Sequence, residues 1–104
     1  MNPRIPTDYH ETGAWLTGFV RSHAKRENAR IEALVDATGS REGRSYGIGL
    51  SLDGQTLPPP GSPPIDLDFR EVAEGRTSFA WCAALGDRVR ALARELPGAV
   101  RSVR

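Results

Sequence analysis

The stretch Tyr46-Gly-Ile-Gly-Leu-Ser-Leu-Asp53 decides the fold, because large apolar residues alternate in it with small or polar ones. An alternation of period two is typical of a β-strand with one buried face. The residues expected to face the core are the apolar set Tyr46, Ile48, Leu50 and Leu52. The residues between them are expected to face away: Gly47, Gly49, Ser51 and Asp53. This strand therefore predicts a sheet that is covered on one side and bare on the glycine side.

The segment before this strand allows two interpretations. With period two, the alternate residues of 29–37 share one face, and the loop 38–45 then closes a hairpin. With period 3.6, Ile31, Leu34 and Val35 continue a preceding helix, and Leu34 breaks the strand alternation. A single helix from Asp8 to Thr38 would be unusually long for a chain of 104 residues, so we favour the strand.

A proline-rich connection and a third strand follow the central strand. Asp53-Gly54 is a turn signal. In the segment 57–64, five of eight residues are prolines, which lack an amide proton and exclude a central strand. We expect a stiff connection there. After it, Ile65, Leu67 and Phe69 alternate with polar residues, which predicts another strand.

Two amphipathic helices are expected to enclose the strands. The first begins near Asp8, with Glu11 completing a capping box. Its apolar side is formed by Trp15, Leu16, Phe19, Val20 and Ala24. The second is capped by Thr77 or Ser78 and is expected to end at Pro97-Gly98. Its apolar seam comprises Cys82, Leu85, Val89, Leu92 and Leu96, widened by Phe79, Ala83, Gly86 and Ala93.

We therefore predict a single α+β domain over 1–104, with two helices packed on one face of a small, mainly antiparallel sheet of two or three strands. The element order is α-β-β-β-α, or α-β-β-α if 29–38 is helical. The first of these orders resembles double-stranded-RNA-binding domains in topology alone. In those domains the second helix starts with lysines, whereas Glu74-Gly-Arg-Thr-Ser78 stands here.

Composition limits the classes of function. The 14 basic and 13 acidic residues give a net charge of +1, so no global field attracts nucleic acid or a membrane surface. The one cysteine, Cys82, excludes an internal disulfide and lies on an apolar seam, so we interpret it as a core residue rather than a nucleophile. No apolar stretch is long enough to span a membrane, and a cytoplasmic location is expected.

Sequence signatures of catalysis are weak. The segment 39–45 superficially matches a phosphate-binding loop, but it is one residue short and leads into a strand. His10 and His23 lack the spacing of metal ligands, and Asp66 and Asp68 fit the solvated face of a strand. We predict no catalytic residue, no metal and no cofactor, and an enzyme is the third choice, together with a ligand-binding protein.

The leading expectation is a small accessory or regulatory protein that acts by protein–protein contact, with a foreign partner or with a second copy as a homodimer. The predicted partner-binding residues are Arg41, Arg44, Gly47, Gly49 and Ser51. The alternative is a nucleic-acid-binding protein that uses arginines. Its predicted anion contacts are Arg21, Lys25, Arg26, Arg30, Arg90 and Arg94.

Overall fold

The computed structural model describes residues 8–57 and 64–102, with residues 96–102 described as helix backbone only. The helices are α1 (Tyr9–Glu27), α2 (Phe69–Gly75) and α3 (Phe79–Ser102). The strands are β1 (Glu32–Asp36), β2 (Ser45–Leu52), β3 (Gln55–Leu57) and β4 (Ile65–Asp68). The predicted α+β class is confirmed, and the described residues add one helix and one strand to the expected elements.

Strand β2 is the centre of an antiparallel sheet. Strand β1 pairs along one side of it, with Leu34 opposite Gly49. Strand β3 pairs with the end of β2, with Leu50 opposite Leu57, and β4 pairs with its beginning, with Tyr46 opposite Leu67. Strand β1 pairs with residues of β2 that β3 and β4 also contact, so β3 and β4 must both lie along the other edge of β2, one after the other. Of the proline-rich connection predicted at 57–64, residues 58–63 lie outside the described residues, and Leu57 belongs to β3 instead.

Segment 29–38 forms strand β1, as the period-two interpretation predicts. Ile31 is buried, whereas Leu34, the residue that breaks the alternation, is 43% exposed. The helical alternative is wrong because α1 ends at Glu27 and Asn28 adopts extended backbone angles. The predicted capping box is also wrong: Asp8 is the N-cap, but its side chain makes no capping bond.

All three helices lie on the apolar side of the sheet. Helices α1 and α3 run in the same direction, because Trp15 packs near Trp81 and Glu27 reaches Arg94. The buried core comprises Tyr9, Leu16, Val20, Ala24, Ile31, Tyr46, Ile48, Leu50, Leu52, Leu67, Val72, Leu85, Val89 and Ala93. The helices and the sheet meet as expected, with the glycine-bearing side of β2 turned away from them.

Helix α2 replaces the end of the predicted third strand. Phe69 was expected on the strand, but it opens α2 because the Asp68 carboxylate accepts a hydrogen bond from the Arg70 amide at 3.0 Å. This N-cap satisfies one amide of the new helix and ends the strand one residue earlier.

Two predictions for α3 are wrong, and one lies outside the described side chains. The helix backbone continues through Pro97 and Gly98 to Ser102, since a proline removes one intrahelical hydrogen bond without having to end the helix. Phe79 is 90% exposed and Ala83 is also exposed, so neither widens the seam. In that first turn Trp81 makes the contact to α1, with ring centroids 6.4 Å from Trp15. Leu96 is among the side chains that are not described.

Cys82 lies beside the core rather than in it. The thiol is half-buried at the corner between α2 and α3. Its Sγ is 3.6 Å from the carbonyl oxygen of Gly75 and 3.7 Å from that of Arg76. The seam itself is buried at Leu85 and Val89, one and two turns further along. The predicted core position is therefore a partly shielded corner position.

Candidate functional site

The outer face of the sheet is not bare at Gly47, contrary to expectation. Arg41, from the short 3₁₀ turn Gly39–Arg41, lays its guanidinium over this glycine. A Cβ atom on Gly47 would come within 2.9 Å of Arg41 Cζ, so only glycine admits the arginine this closely. The arginine thus occupies part of the surface that we predicted for a partner.

Carboxylates on both neighbouring strands hold Arg41 in place. Gly47 pairs with Asp36 on one side and with Asp66 on the other. Arg41 forms an ion pair with Asp66, and its Nε lies 3.7 Å from Asp36. Its side chain is only 21% exposed. The residue is therefore part of the sheet surface rather than an extended cation.

The rest of the predicted contact surface is mixed. Gly49 is buried and Ser51 is half-buried, whereas Arg44 is exposed. Opposite Gly49, Leu34 is an exposed apolar side chain on strand β1. On the same face Leu34 stands between Glu32 and Asp36, which are both exposed. This acidic–apolar–acidic row is a surface feature that the sequence interpretation did not single out.

Three of the six predicted anion contacts are engaged with acidic groups. Arg30 pairs with Asp53, and the distance from Arg90 Nη2 to the Asp87 carboxylate is 3.0 Å. Arg94 Nε lies 3.2 Å from the Glu27 carboxylate. These contacts reduce the positive charge that the helices offer to a polyanion.

The remaining members of that set lie on α1 and its C-terminal end. Lys25 donates from Nζ to the Ala29 carbonyl at 2.7 Å. Arg21 and Arg26 are exposed, and neither forms an ion pair within 8–57 and 64–95. The structure thus leaves two of the six predicted cations extended into solvent on the same helix.

His23 marks the place where cations from α1 and α3 converge. Its ring packs on Phe19 with centroids 4.5 Å apart, and it covers Gly86 of α3. Burial lowers the pKa of His23, and the nearby charges of Arg26 and Arg90 lower it further, against an opposing effect of Asp87. Its Nδ1 is buried without a hydrogen-bond partner in the described structure. The imidazole is therefore held neutral at neutral pH.

A cleft opens where β4 passes into α2. It has a volume of about 570 Å³ and is lined by Gly43, Arg44, Asp68, Phe69 and Arg70. The backbone brings its two sides together, because Ser45 pairs with Asp68 and the Phe69 amide donates to the Arg44 carbonyl at 2.8 Å. The residues that line the cleft thus include two exposed arginines, an aspartate and a half-buried phenylalanine.

Of this cleft, the sequence identified only Arg44 as a contact residue. Phe69 was assigned to the buried side of a strand, and Arg70 therefore to its solvated side. The available signal was Asp68, whose side chain can cap a helix that starts at the next residue. Recognising that cap would have placed Phe69 and Arg70 beside the loop that carries Arg44.

Within 8–57 and 64–95, no three His, Cys, Asp or Glu side chains are close enough to hold a metal ion. No helix in the described part of the chain is long and apolar enough to cross a membrane.

Comparisons with known proteins do not extend these observations. No protein-family model, no curated protein and no solved structure matches the chain.

Proposed function

We propose that this chain is a small, cytoplasmic, non-enzymatic accessory or regulatory protein that binds another protein through strand β1. The observation that carries the proposal is the exposure of Leu34, 43%, on an outer strand between two exposed acidic residues. Burial of this exposed apolar side chain by a partner removes it from water, which is favourable.

The backbone of β1 is available for strand addition. Within the described residues β1 pairs with β2 alone, so the amide and carbonyl groups on its other edge have no strand beside them. An extended segment of a partner can add there, with main-chain hydrogen bonds supplying affinity and side-chain contacts supplying specificity.

Charge complementarity defines the partner segment. The outer-face side chains of β1 read acidic–apolar–acidic at Glu32, Leu34 and Asp36. Hydrogen bonds from Thr38 hold the pKa of Asp36 below its usual value, so this carboxylate is ionised at neutral pH. The segment that fits best is therefore extended and alternates basic and apolar side chains on the facing side.

A second copy of this chain fits the same edge less well. Antiparallel pairing of two β1 strands centred on Leu34 would set Glu32 opposite the second copy's Asp36, and the reverse. Like charges directly opposite each other destabilise a strand pair. We therefore favour a foreign partner over the homodimer.

The test uses two synthetic peptides with the same apolar residues, Thr-Lys-Val-Leu-Val-Lys-Thr and Thr-Glu-Val-Leu-Val-Glu-Thr. The basic peptide should bind and protect β1 amides from hydrogen exchange, whereas the acidic one should not. Leu34→Glu should abolish binding. The matched control is Phe79→Glu, which changes an exposed apolar residue away from β1.

Three outcomes would contradict the proposal. The first is equal affinity for the two peptides, and the second is binding that survives Leu34→Glu. The third is binding of duplex RNA or DNA tighter than about 10⁻⁵ M at physiological salt, with a steep salt dependence, which would favour the nucleic-acid alternative. A stable dimer in light scattering would replace the foreign partner with a second copy.

A further inference from the structure

We propose that the cleft between the loop at Gly43 and the start of α2 binds a nucleoside monophosphate unit, with the phosphate between Arg44 and Arg70 and the base against Phe69. The site lies at the opposite side of β2 from the β1 edge, since β4 and not β1 forms its wall. The inference is therefore independent of the proposed protein contact.

The two arginines of the cleft differ from most of the other arginines near the sheet. Arg44 and Arg70 are exposed, and neither forms an ion pair within 8–57 and 64–95, whereas Arg30 and Arg41 are paired with carboxylates. A guanidinium group binds a phosphate through two parallel hydrogen bonds. Two arginines that line one cleft can bind a phosphate from two sides.

Phe69 supplies the apolar surface of the cleft. One part of its ring packs on Tyr9, with centroids 5.7 Å apart and an interplanar angle of 54°, which fixes its position. Phe69 is only half-buried, and it is one of the residues that line the cleft. Any of the nucleobases can stack on such a ring, because every base has a flat π-face.

Asp68 completes the match to a nucleotide. Its Oδ2 accepts from the Arg70 amide, which orients the carboxylate, and the residue remains exposed in the cleft. A carboxylate accepts hydrogen bonds from sugar hydroxyls. The lining residues comprise two arginines and one aspartate, so their charges sum to a positive value. The volume of about 570 Å³ lies within the range of small-ligand pockets.

The experiment titrates the protein, with NMR or calorimetry, with adenosine 5′-monophosphate, adenosine, inorganic phosphate and a short single-stranded RNA. The monophosphate should bind more tightly than adenosine or inorganic phosphate alone, because one molecule then makes both the base contact and the phosphate contact. If the RNA binds more tightly still, nucleotides within a strand are the source of the ligand. If the monophosphate binds as tightly, free nucleotides are the source.

Variants assign the binding to the cleft. Arg44→Ala and Arg70→Ala should each weaken the monophosphate by about tenfold, as expected for a lost hydrogen bond to a charged group. Phe69→Leu should weaken it by about tenfold through lost stacking, with circular dichroism checking the fold. Arg21→Ala removes an exposed arginine of α1 and should leave the affinity unchanged.

The proposal is overturned if no nucleotide or RNA binds at millimolar concentration. It is also overturned if binding weakens equally in Arg21→Ala and Arg70→Ala, because a diffuse positive field would then explain it. Both arginine variants change exposed side chains, so the result does not depend on Phe69→Leu folding. None of these measurements involves strand β1, and the peptide experiment can fail or succeed separately.

Discussion

The phenol of Tyr46 donates a hydrogen bond to the carbonyl oxygen of Tyr9 at 2.7 Å, and the two rings stack with centroids 4.8 Å apart. The phenol of Tyr9 in turn donates to the carbonyl of Ser45 at 2.7 Å. Each tyrosine therefore satisfies the backbone at the start of the other element. Burial raises the pKa of both phenols, so both remain donors at any physiological pH. This pair joins the first turn of α1 to the beginning of β2.

Tyr46→Phe should lower the free energy of unfolding by about 1–3 kcal/mol, because the Tyr9 carbonyl would lose its buried donor. Urea denaturation measures the effect. The matched control is Thr17→Ala, which removes an exposed hydroxyl bonded to the Gly13 carbonyl and should change stability by less than about 0.5 kcal/mol. Equal effects in the two variants would show that the buried bond contributes nothing particular.

Gly75→Ala should destabilise the protein by about 1–3 kcal/mol, because its Cβ would lie 2.3 Å from the Trp81 ring. The packing of α2 on α3 depends on this close approach. Gly18→Ala is the control in α1: nothing lies within 4 Å of its Cβ, and helix propensity should make it neutral or stabilising by up to about 1 kcal/mol. Thermal denaturation of both variants measures the two effects. If Gly75→Ala does not change stability, the Trp81 ring does not pack against Gly75.

Acid should weaken the contact between α1 and α3 through His23. The pKa of His23 is lowered in the folded protein. Below the ordinary value of 6.5, the imidazole is therefore protonated to a greater extent in the unfolded chain than in the folded one. The contribution of His23 to stability is therefore fully present above that pH and declines as the pH falls towards the folded pKa. Urea denaturation between neutral pH and about pH 5 should show the decline.

A variant pair isolates this effect. His23→Gln removes the titrating group between Arg26, Arg90 and Asp87 and should flatten the pH dependence in that range. His10→Gln replaces an exposed histidine of the same helix and should retain the wild-type slope. The assignment fails if the His23 variant keeps the slope.

Cys82→Ser should cost less than about 1 kcal/mol, because the serine hydroxyl can donate to the same carbonyl oxygens that lie 3.6 and 3.7 Å from Sγ. Cys82→Val removes the donor and adds volume at the corner of α2 and α3, so it should cost more. Chemical denaturation compares the two. A serine variant as unstable as the valine variant would indicate that Cys82 belongs to the apolar core.

Local patterns were sufficient for the main elements. Alternation in 46–53 identified the central strand and its apolar face. For 29–37 the alternation allowed a strand, and the excessive length of a continuous helix favoured the strand over the helix. Both patterns arise from the geometry of a single strand, in which neighbouring side chains point to opposite faces. The helical spacing in α1 identified Leu16, Val20 and Ala24, which are buried. No knowledge of distant residues was required for any of these.

Features that depend on two segments were not predictable in the same way. The 3₁₀ turn carries Arg41 over Gly47 because carboxylates from β1 and β4 flank that glycine. The exposure of Phe79 likewise depends on where α3 meets α1. Period alone cannot say which of several apolar residues reaches another element.

By itself, then, the sequence determined the α+β class and a central strand whose apolar side faces helices, because periodicity is encoded residue by residue. Only the tertiary structure decided which charges are paired and which remain available. Ion pairs such as Arg30–Asp53 and Arg94–Glu27 join residues far apart in the chain, and the cleft of Arg44, Phe69 and Arg70 exists only where β2 and β4 align. The sequence specifies the chemistry of each side chain, but which side chains become neighbours depends on the fold.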